Sequence, residues 1–501
     1  MAETITMMRN RLLLTVLLLL PLAGFAHVGS PDIYYDGQAG QYHLLVTIRP
    51  PAVIPGIAEI QVRSASNDVA QIEILPLRMV GPGAKLAPKP DTAERSTGDP
   101  QLFNGHLWIM DRGSWKVQVN VNGQHGKAEL AVPVPAVSTT SAKMQKTLGL
   151  LLSVLGLLLV AGFVGIVGAA NRDAKVDPEN DPTPAQRRRG LISMGVAAVL
   201  MIGVLVFANW WWGLEASANA KLSYRLPHLQ SSLEAGSTLQ LHLKNPNEAA
   251  FLTQFGMERA DRLRLDDLVT DHGHLMHLFL VRMPDMKSFW HLHPSELKAG
   301  DFSEDLPGVP AGHYRIYADI VHKTGFPETE VGEIDLPGTA AKSLAVKPLN
   351  NDDSGGADLS TGEKVSQLSG GYRMVWERDP APLKTKQPIW FRFRIEDKNG
   401  NPATDLESYM GMAGHAAFIR DDGEVFAHVH PAGSVSMAAA EMAQEPSTGS
   451  STSMGMNMNH GAPSAEVSFP YGFSQSGDYH IYVQVKRAGQ VETGVFVAHV
   501  E

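Results

Sequence analysis

The chain contains no cysteine, so its 19 histidines and 20 methionines are the side chains most able to do chemistry. Thiolate catalysis, disulfides and zinc–thiolate sites are excluded together, and imidazole, thioether and carboxylate groups remain as metal donors. Thirteen of the 19 histidines lie at or beyond His272, and most of these fall in two similar stretches. Asp271-His272-Gly273-His274-Leu275-Met276-His277 runs into apolar Leu278 to Val281, then a short turn, then Trp290-His291-Leu292-His293-Pro294. Tyr409-Met410-Gly411-Met412-Ala413-Gly414-His415 runs into Ala416 to Ile419, then a turn, then Ala427-His428-Val429-His430-Pro431. Residues i and i+2 of a strand share a face, so each His-x-His pair can converge on one point. The strand before it adds His277 or His415 across a hairpin. Two sets therefore emerge, His277/His291/His293 and His415/His428/His430, each able to offer three imidazoles to copper or zinc. The other reading is structural: histidines that bond a turn and pack beside aromatic residues.

Three further groups fit copper. Met454-Gly-Met456-Asn-Met458-Asn-His460 alternates soft thioethers with small polar residues, a pattern suited to Cu(I). Met410 and Met412 stand where the first stretch has His272 and His274, and they serve equally well as adaptable core residues. His27 would begin the mature chain after cleavage of a leader and would chelate through its α-amine and imidazole, with His125 as a further nitrogen.

These donors must be held by the elements around them. Residues 1–26 have the form of a signal peptide: basic Arg9 and Arg11, apolar Leu12 to Leu20, and a small-x-small site ending at Ala26. Thr147 to Ala170 and Leu191 to Leu214 are uncharged and long enough to span a bilayer, the second ending in Trp210-Trp211-Trp212. The loop 171–190 carries Arg172, Lys175, Arg187, Arg188 and Arg189, which places it in the cytoplasm and both flanks in the periplasm. Residues 27–143 alternate short apolar runs with turn residues and predict a β-sandwich, with Gly81 to Pro100 as a long loop. The internal repeat predicts two homologous β-domains at 216–345 and 368–501. They are joined by a linker over 346–367, and a disordered loop over 434–463 interrupts the second. The expected fold is mainly β: several immunoglobulin- or cupredoxin-like sandwiches and a transmembrane helix hairpin.

Residues 27–135 resemble the YtkA-like and FixH-type periplasmic immunoglobulin-like modules, on His27-Val28-Gly29-Ser30-Pro31 and Gly113-Ser114-Trp115-Lys116-Val117-Gln118-Val119. The mature His27 also resembles the N-terminal ligand of periplasmic copper-resistance carriers, which implies Cu(II) binding there. The two C-terminal domains resemble secreted β-domains of the heavy-metal-binding type, on their Gly-His-Leu and His-x-His-Pro motifs.

A net charge of −10 excludes nucleic acid as an expected partner. No His-Glu-x-x-His, nucleophile elbow or phosphate-cradling glycine loop is present, so an enzyme is not expected. The expectation is a membrane-anchored metal-binding protein of the bacterial inner membrane with its soluble domains in the periplasm. It would bind, buffer or deliver copper, with a cuproenzyme or respiratory complex as partner. The alternative is a scaffold of immunoglobulin-like domains that binds no metal and assists assembly of a membrane or envelope complex.

Overall fold

The structure is a computed structural model that describes residues 32–80, 86–141, 144–174, 176, 180–220, 224, 228–244, 265–337, 352–444 and 464–501. The expected signal peptide, His27 and the Met454–His460 segment lie outside the described residues.

The fold is mainly β, in three two-sheet sandwiches, and the alternation of apolar and polar residues explains each. In the N-terminal domain a five-stranded sheet holds Ile33–Ala39, Tyr42–Arg49, Gly56–Ser64 and Leu102–Ile109, with Glu94–Arg95 at its edge. It faces a four-stranded sheet built on Val69–Arg78, Gly113–Gly123 and Gly126–Ala136, with Asp91–Thr92 at its edge. The inward residues of the two sheets, among them Val46, Ile60, Ile74, Val119 and Val132, form one core. The expected long loop over Gly81 to Pro100 thus carries two short edge strands in its described part.

Repeat 1 and repeat 2 share one topology. Each has a histidine-bearing sheet ordered around a central hairpin: His277–Met283 with Phe289–Leu292, and His415–Arg420 with Phe426–Val429. The long strands Gly312–His322 and Gly477–Arg487 flank those hairpins, and each pairs in turn with Pro327–Leu336 or Gln490–Val500. The even-numbered Leu278 and Leu280 and their counterparts Ala416 and Phe418 face inward to each repeat's own second sheet. The alternate residues face the other repeat. Phe279, Val281, Phe289 and Tyr317 of repeat 1 bury against Ala417, Ile419, Phe426 and Tyr482 of repeat 2. The contacts come in reciprocal pairs, as a two-fold relation requires. Tyr317 stacks on Phe426 at 4.3 Å between ring centres, and Tyr482 stacks on Phe289 at 4.1 Å. The Tyr317 hydroxyl donates to the Gly423 carbonyl at 2.7 Å, and that of Tyr482 donates to the Met286 carbonyl at 2.6 Å.

Two expectations about connecting segments are corrected. The linker over 346–367 is structured where it is described. Ser354–Gly356 extends repeat 1's sheet beside Phe289–Leu292, while Thr361–Gly362 and Val365–Gln367 join the sheets of repeat 2. The interruption over 434–463 begins as structure too: Met437–Gln444 is an α-helix whose Ala438, Ala439 and Ala440 enter the N-terminal core. Alanine is the best helix former, and a run of it reads as low complexity only when no burying surface is in view. Residues 445–463 lie outside the described residues.

Two helices, Lys146–Asp173 and Pro184–Ala220, are long and apolar enough to cross a membrane; their most apolar windows reach mean hydropathies of 2.8 and 2.6. Their leucine and valine side chains are largely exposed, as spans facing lipid would be. Both run beyond the apolar stretches read from sequence, so Arg187, Arg188 and Arg189 lie in the first turns of the second helix and not in an open loop.

Candidate metal centre

Because the histidines sit on the strand faces that meet between the repeats, eight imidazoles gather in one buried cluster. Repeat 1 gives His272, His274, His277, His291 and His293, and repeat 2 gives His415, His428 and His430. Their rings contact one another in a chain, with centroids 4.0 Å apart for His274 and His293 and 4.4 Å apart for His428 and His430.

Within the cluster the structure brings together His277, His291 and His293, whose ligand atoms all lie within 4.8 Å of one another. Each ring is anchored from outside by an acceptor. His277 Nε2 faces the Asp271 carbonyl at 3.1 Å. His291 Nδ1 faces Gln484 Oε1 at 3.0 Å, and the same amide donates through Nε2 to Ser354 Oγ, so its oxygen is the atom turned to the ring. His293 Nδ1 lies 2.9 Å from Asp353 Oδ1, an oxygen that also accepts the His293 backbone N–H at 3.0 Å. Acceptors on the outside fix each ring's proton there and leave a lone pair inside. His277 Nδ1 and His291 Nε2 then face each other at 3.1 Å, and the buried His293 Nε2 has no hydrogen-bond partner. Nitrogens bound about 2 Å from one ion lie roughly 3–4 Å apart. Three lone pairs converging in this way could hold a cation.

The second expected set is corrected. His415 and His430 are joined not by His428 but by His272 of the other repeat, again with ligand atoms within 4.8 Å. His428 turns its Nδ1 to Asp319 Oδ2 at 3.3 Å and lies between the sets, with its ring 5.4 Å from His277 and 5.5 Å from His415. His272 crosses because it occupies a tight turn. Asp271-His272-Gly273-His274 closes on itself through two backbone hydrogen bonds, with φ of 51° at His272 and 87° at Gly273. Tyr409-Met410-Gly411-Met412 makes the same turn with φ of 49° and 80°. Positive φ at both central residues defines a type I′ turn, and the flexible second position explains the shared glycine. His272 also donates to the Met410 carbonyl, so the two turns touch. His430 Nδ1 is anchored by the Val435 carbonyl at 3.1 Å, just before the helix Met437–Gln444, and Asp271 Oδ1 accepts the Ala438 N–H at 2.8 Å.

Electrostatics keep the cluster neutral. Burial, and then the neighbouring imidazole charges, push His291, His293, His415, His428 and His430 well below the usual histidine range. Burial brings His277 down to about 4. Neutral imidazole is the form that binds metal. Burial also raises Asp319 to about 6 and Asp353 to about 7.

His125 stands elsewhere: its Nε2 pairs with Asp68 at 3.0 Å on the surface of the N-terminal domain. His27, Met454, Met456, Met458 and His460 lie outside the described residues. Met410 and Met412 are buried beside the cluster. Sequence reasoning missed Asp353, Gln484 and Val435 as anchors, and His272 as a member of the second set. A cavity of about 610 Å³ between the N-terminal domain and the repeats, walled by Pro50, Pro51, Pro133 and Pro135, reaches His277, His428 and His430.

The family described as "Domain of unknown function (DUF8832)" matches residues 366–501, which is repeat 2. No curated protein matches the chain. Among solved structures, a tetra-tandem repeat from the extending region of a large adhesion protein is 8% identical, with 89% of this chain and 71% of that one covered and a TM-score of 0.14. Salmonella alpha-2-macroglobulin reacted with methylamine is 9% identical, with 95% of this chain and 24% of that one covered and a TM-score of 0.20.

Proposed function

We propose that this chain is a membrane-anchored metal-binding protein that holds copper in the histidine centre between its two C-terminal β-domains. The observation that carries the reading is the outer anchoring of His277, His291 and His293, which leaves three lone pairs aimed at one point. The docking of the repeats does not need the histidines, because the reciprocal Tyr–Phe stacks already bury an apolar face. Orphaned imidazole nitrogens cost about 1–3 kcal/mol each, and a bound ion offsets that cost. An all-imidazole site suits copper or zinc, and the methionines beside it and in the Met454–His460 segment favour copper. Deep burial fits a resident ion better than one handed quickly to a partner. The two apolar helices anchor the protein in the bacterial inner membrane with the β-domains in the periplasm, where a cuproenzyme or respiratory complex would be its partner.

The test is metal analysis of the full chain purified in detergent after growth with copper and zinc. Copper retained through dialysis, and lost in the double variant His291→Ala/His293→Ala, is the expected result. A wild-type protein that carries no transition metal and binds none on titration would overturn the reading.

A further inference from the structure

The second histidine set lies against the first. His272 is 6.0 Å from His277 between ring centres, and His291 is 6.0 Å from His415, with His428 among them. Among the described residues, six buried ring nitrogens have no hydrogen-bond partner: one each on His272, His293, His428 and His430, and both on His415. An ion in the first set uses only one of these, on His293. Of the other five, one each on His272, His415 and His430 converge and call for a second cation beside it, since neutral donors left unmatched in a dry site are costly.

Two ions held by three neutral nitrogens each would differ in function from one. Neutral imidazoles without a thiolate or an ionised carboxylate among the donors suit the reduced ion as well as the oxidised one. Three donors leave a coordination position open on each ion. Phe279 stacks on His291 at 4.3 Å and meets His428 at 4.9 Å, which walls the centre with an apolar ring. The cavity, lined by charged residues such as Arg49, Glu59 and Lys386 as well as by the prolines, gives a small, uncharged molecule a path to His277, His428 and His430.

Resting on the copper reading above, we propose that the centre binds a pair of copper ions, the second through His272, His415 and His430, and that the reduced pair takes up dioxygen. Each Cu(I) gives one electron, so dioxygen receives two and becomes a bridging peroxide. Its π bond is lost, two copper–oxygen links form, both ions become Cu(II), and no proton moves. A single ion could supply only one of the two electrons.

The full chain in detergent, loaded with Cu(I) without air and then exposed to dioxygen, tests this. Two copper ions per chain, uptake of one dioxygen per two coppers, an intense near-ultraviolet band and no Cu(II) paramagnetic signal are expected. His272→Asn removes one donor, and asparagine tolerates the positive φ of 51° at this position, so the turn is kept. That variant should retain one copper and lose oxygen uptake. Two coppers with no uptake, or oxidation to two uncoupled paramagnetic ions, would overturn the proposal and leave the copper reading standing. A single copper in the wild type would do the same. Failure to bind any copper would instead sink both.

Discussion

In repeat 1 the donors His277, His291 and His293 come from one hairpin, and their anchors are a carbonyl, an amide and a carboxylate. In repeat 2 the corresponding His415 and His430 are completed by His272 from the other domain, while His428 turns to Asp319. The backbones are alike, down to matching type I′ turns and reciprocal aromatic stacks. The difference lies in a few side chains: Asp271, His272 and His274 of repeat 1 against Tyr409, Met410 and Met412 of repeat 2, and Asp319 against Gln484. An internal repeat supplies approximate two-fold geometry, and substitutions at the axis then make one set self-contained in its donors, with Gln484 of repeat 2 as one anchor, and the other composite in its donors. The experiments that follow would break or sharpen that distinction.

The largest effect is expected from undocking the repeats. Phe426 is buried, stacks on Tyr317 and meets Phe279 at 5.1 Å. Phe426→Ala should cost about 3–5 kcal/mol in a denaturant titration, the usual range for a buried aromatic ring. In the same variant the composite set should lose a donor and with it its ion, while the repeat 1 set keeps all three donors, loses only the Gln484 anchor and weakens by about 10–100-fold. Equal loss from both sets would show that the first is no more self-contained than the second.

Anchors give the next effect. Asp353 fixes His293 in the first set, and loss of such an outer partner weakens metal binding by about 10–100-fold. Asp353→Ala should therefore lower affinity at the first set only, measured by competition with a chelator. A matching loss at the second set would mean that the two share their ligands.

Much of this arrangement was legible in the residues. Period-two spacing placed His291 with His293 and His428 with His430, and the short apolar runs between turn residues in the N-terminal region predicted the β-sheets found there. The docking of the repeats was not anticipated, although a signal for it was present. Leu278 to Val281 and Ala416 to Ile419 are apolar without alternation, which marks strands buried on both faces. His272 escaped because its role exists only once two surfaces meet, and no spacing within one repeat encodes that. Asp353 and Ser354 were hidden in a Gly/Ser-rich stretch whose composition suits a linker, yet whose glycines let the strand pass close to Trp290.

Acidity separates the cluster from another buried histidine. His277 falls from 6.5 to about 4 on burial, which at 1.36 kcal/mol per pH unit amounts to roughly 3 kcal/mol. A depressed histidine leaves the folded state with fewer protons than the unfolded one. Its contribution is full above pH 6.5 and is lost as pH falls from there toward 4. His322 runs the other way: burial lowers it, but hydrogen bonds to Asp267 and Glu328 outweigh that and raise it to about 9. Its contribution is full below 6.5 and is lost as pH rises through 9. Metal-free protein should therefore be most stable near neutrality, and bound copper should shift the acid limb to lower pH. Thermal melts across pH 4–10, with and without copper, read both limbs. An acid limb that His277→Gln leaves unchanged would remove His277 as its cause.

The smallest effect is expected at Met412. It occupies the turn position that His274 fills in repeat 1 and is buried, as a core methionine would be. A thioether that only packs can be exchanged for leucine with little loss, since the volume is kept; the cost should stay below about 1.5 kcal/mol. Copper affinity at both sets should not change if, as proposed, six imidazoles supply three donors to each ion. A drop of more than tenfold in Cu(I) affinity, with Cu(II) affinity unaltered, would identify Met412 as a soft donor. Repeat 2 would then be the half adapted to the reduced ion, and the methionines that replace His272 and His274 would be its ligands instead of its packing.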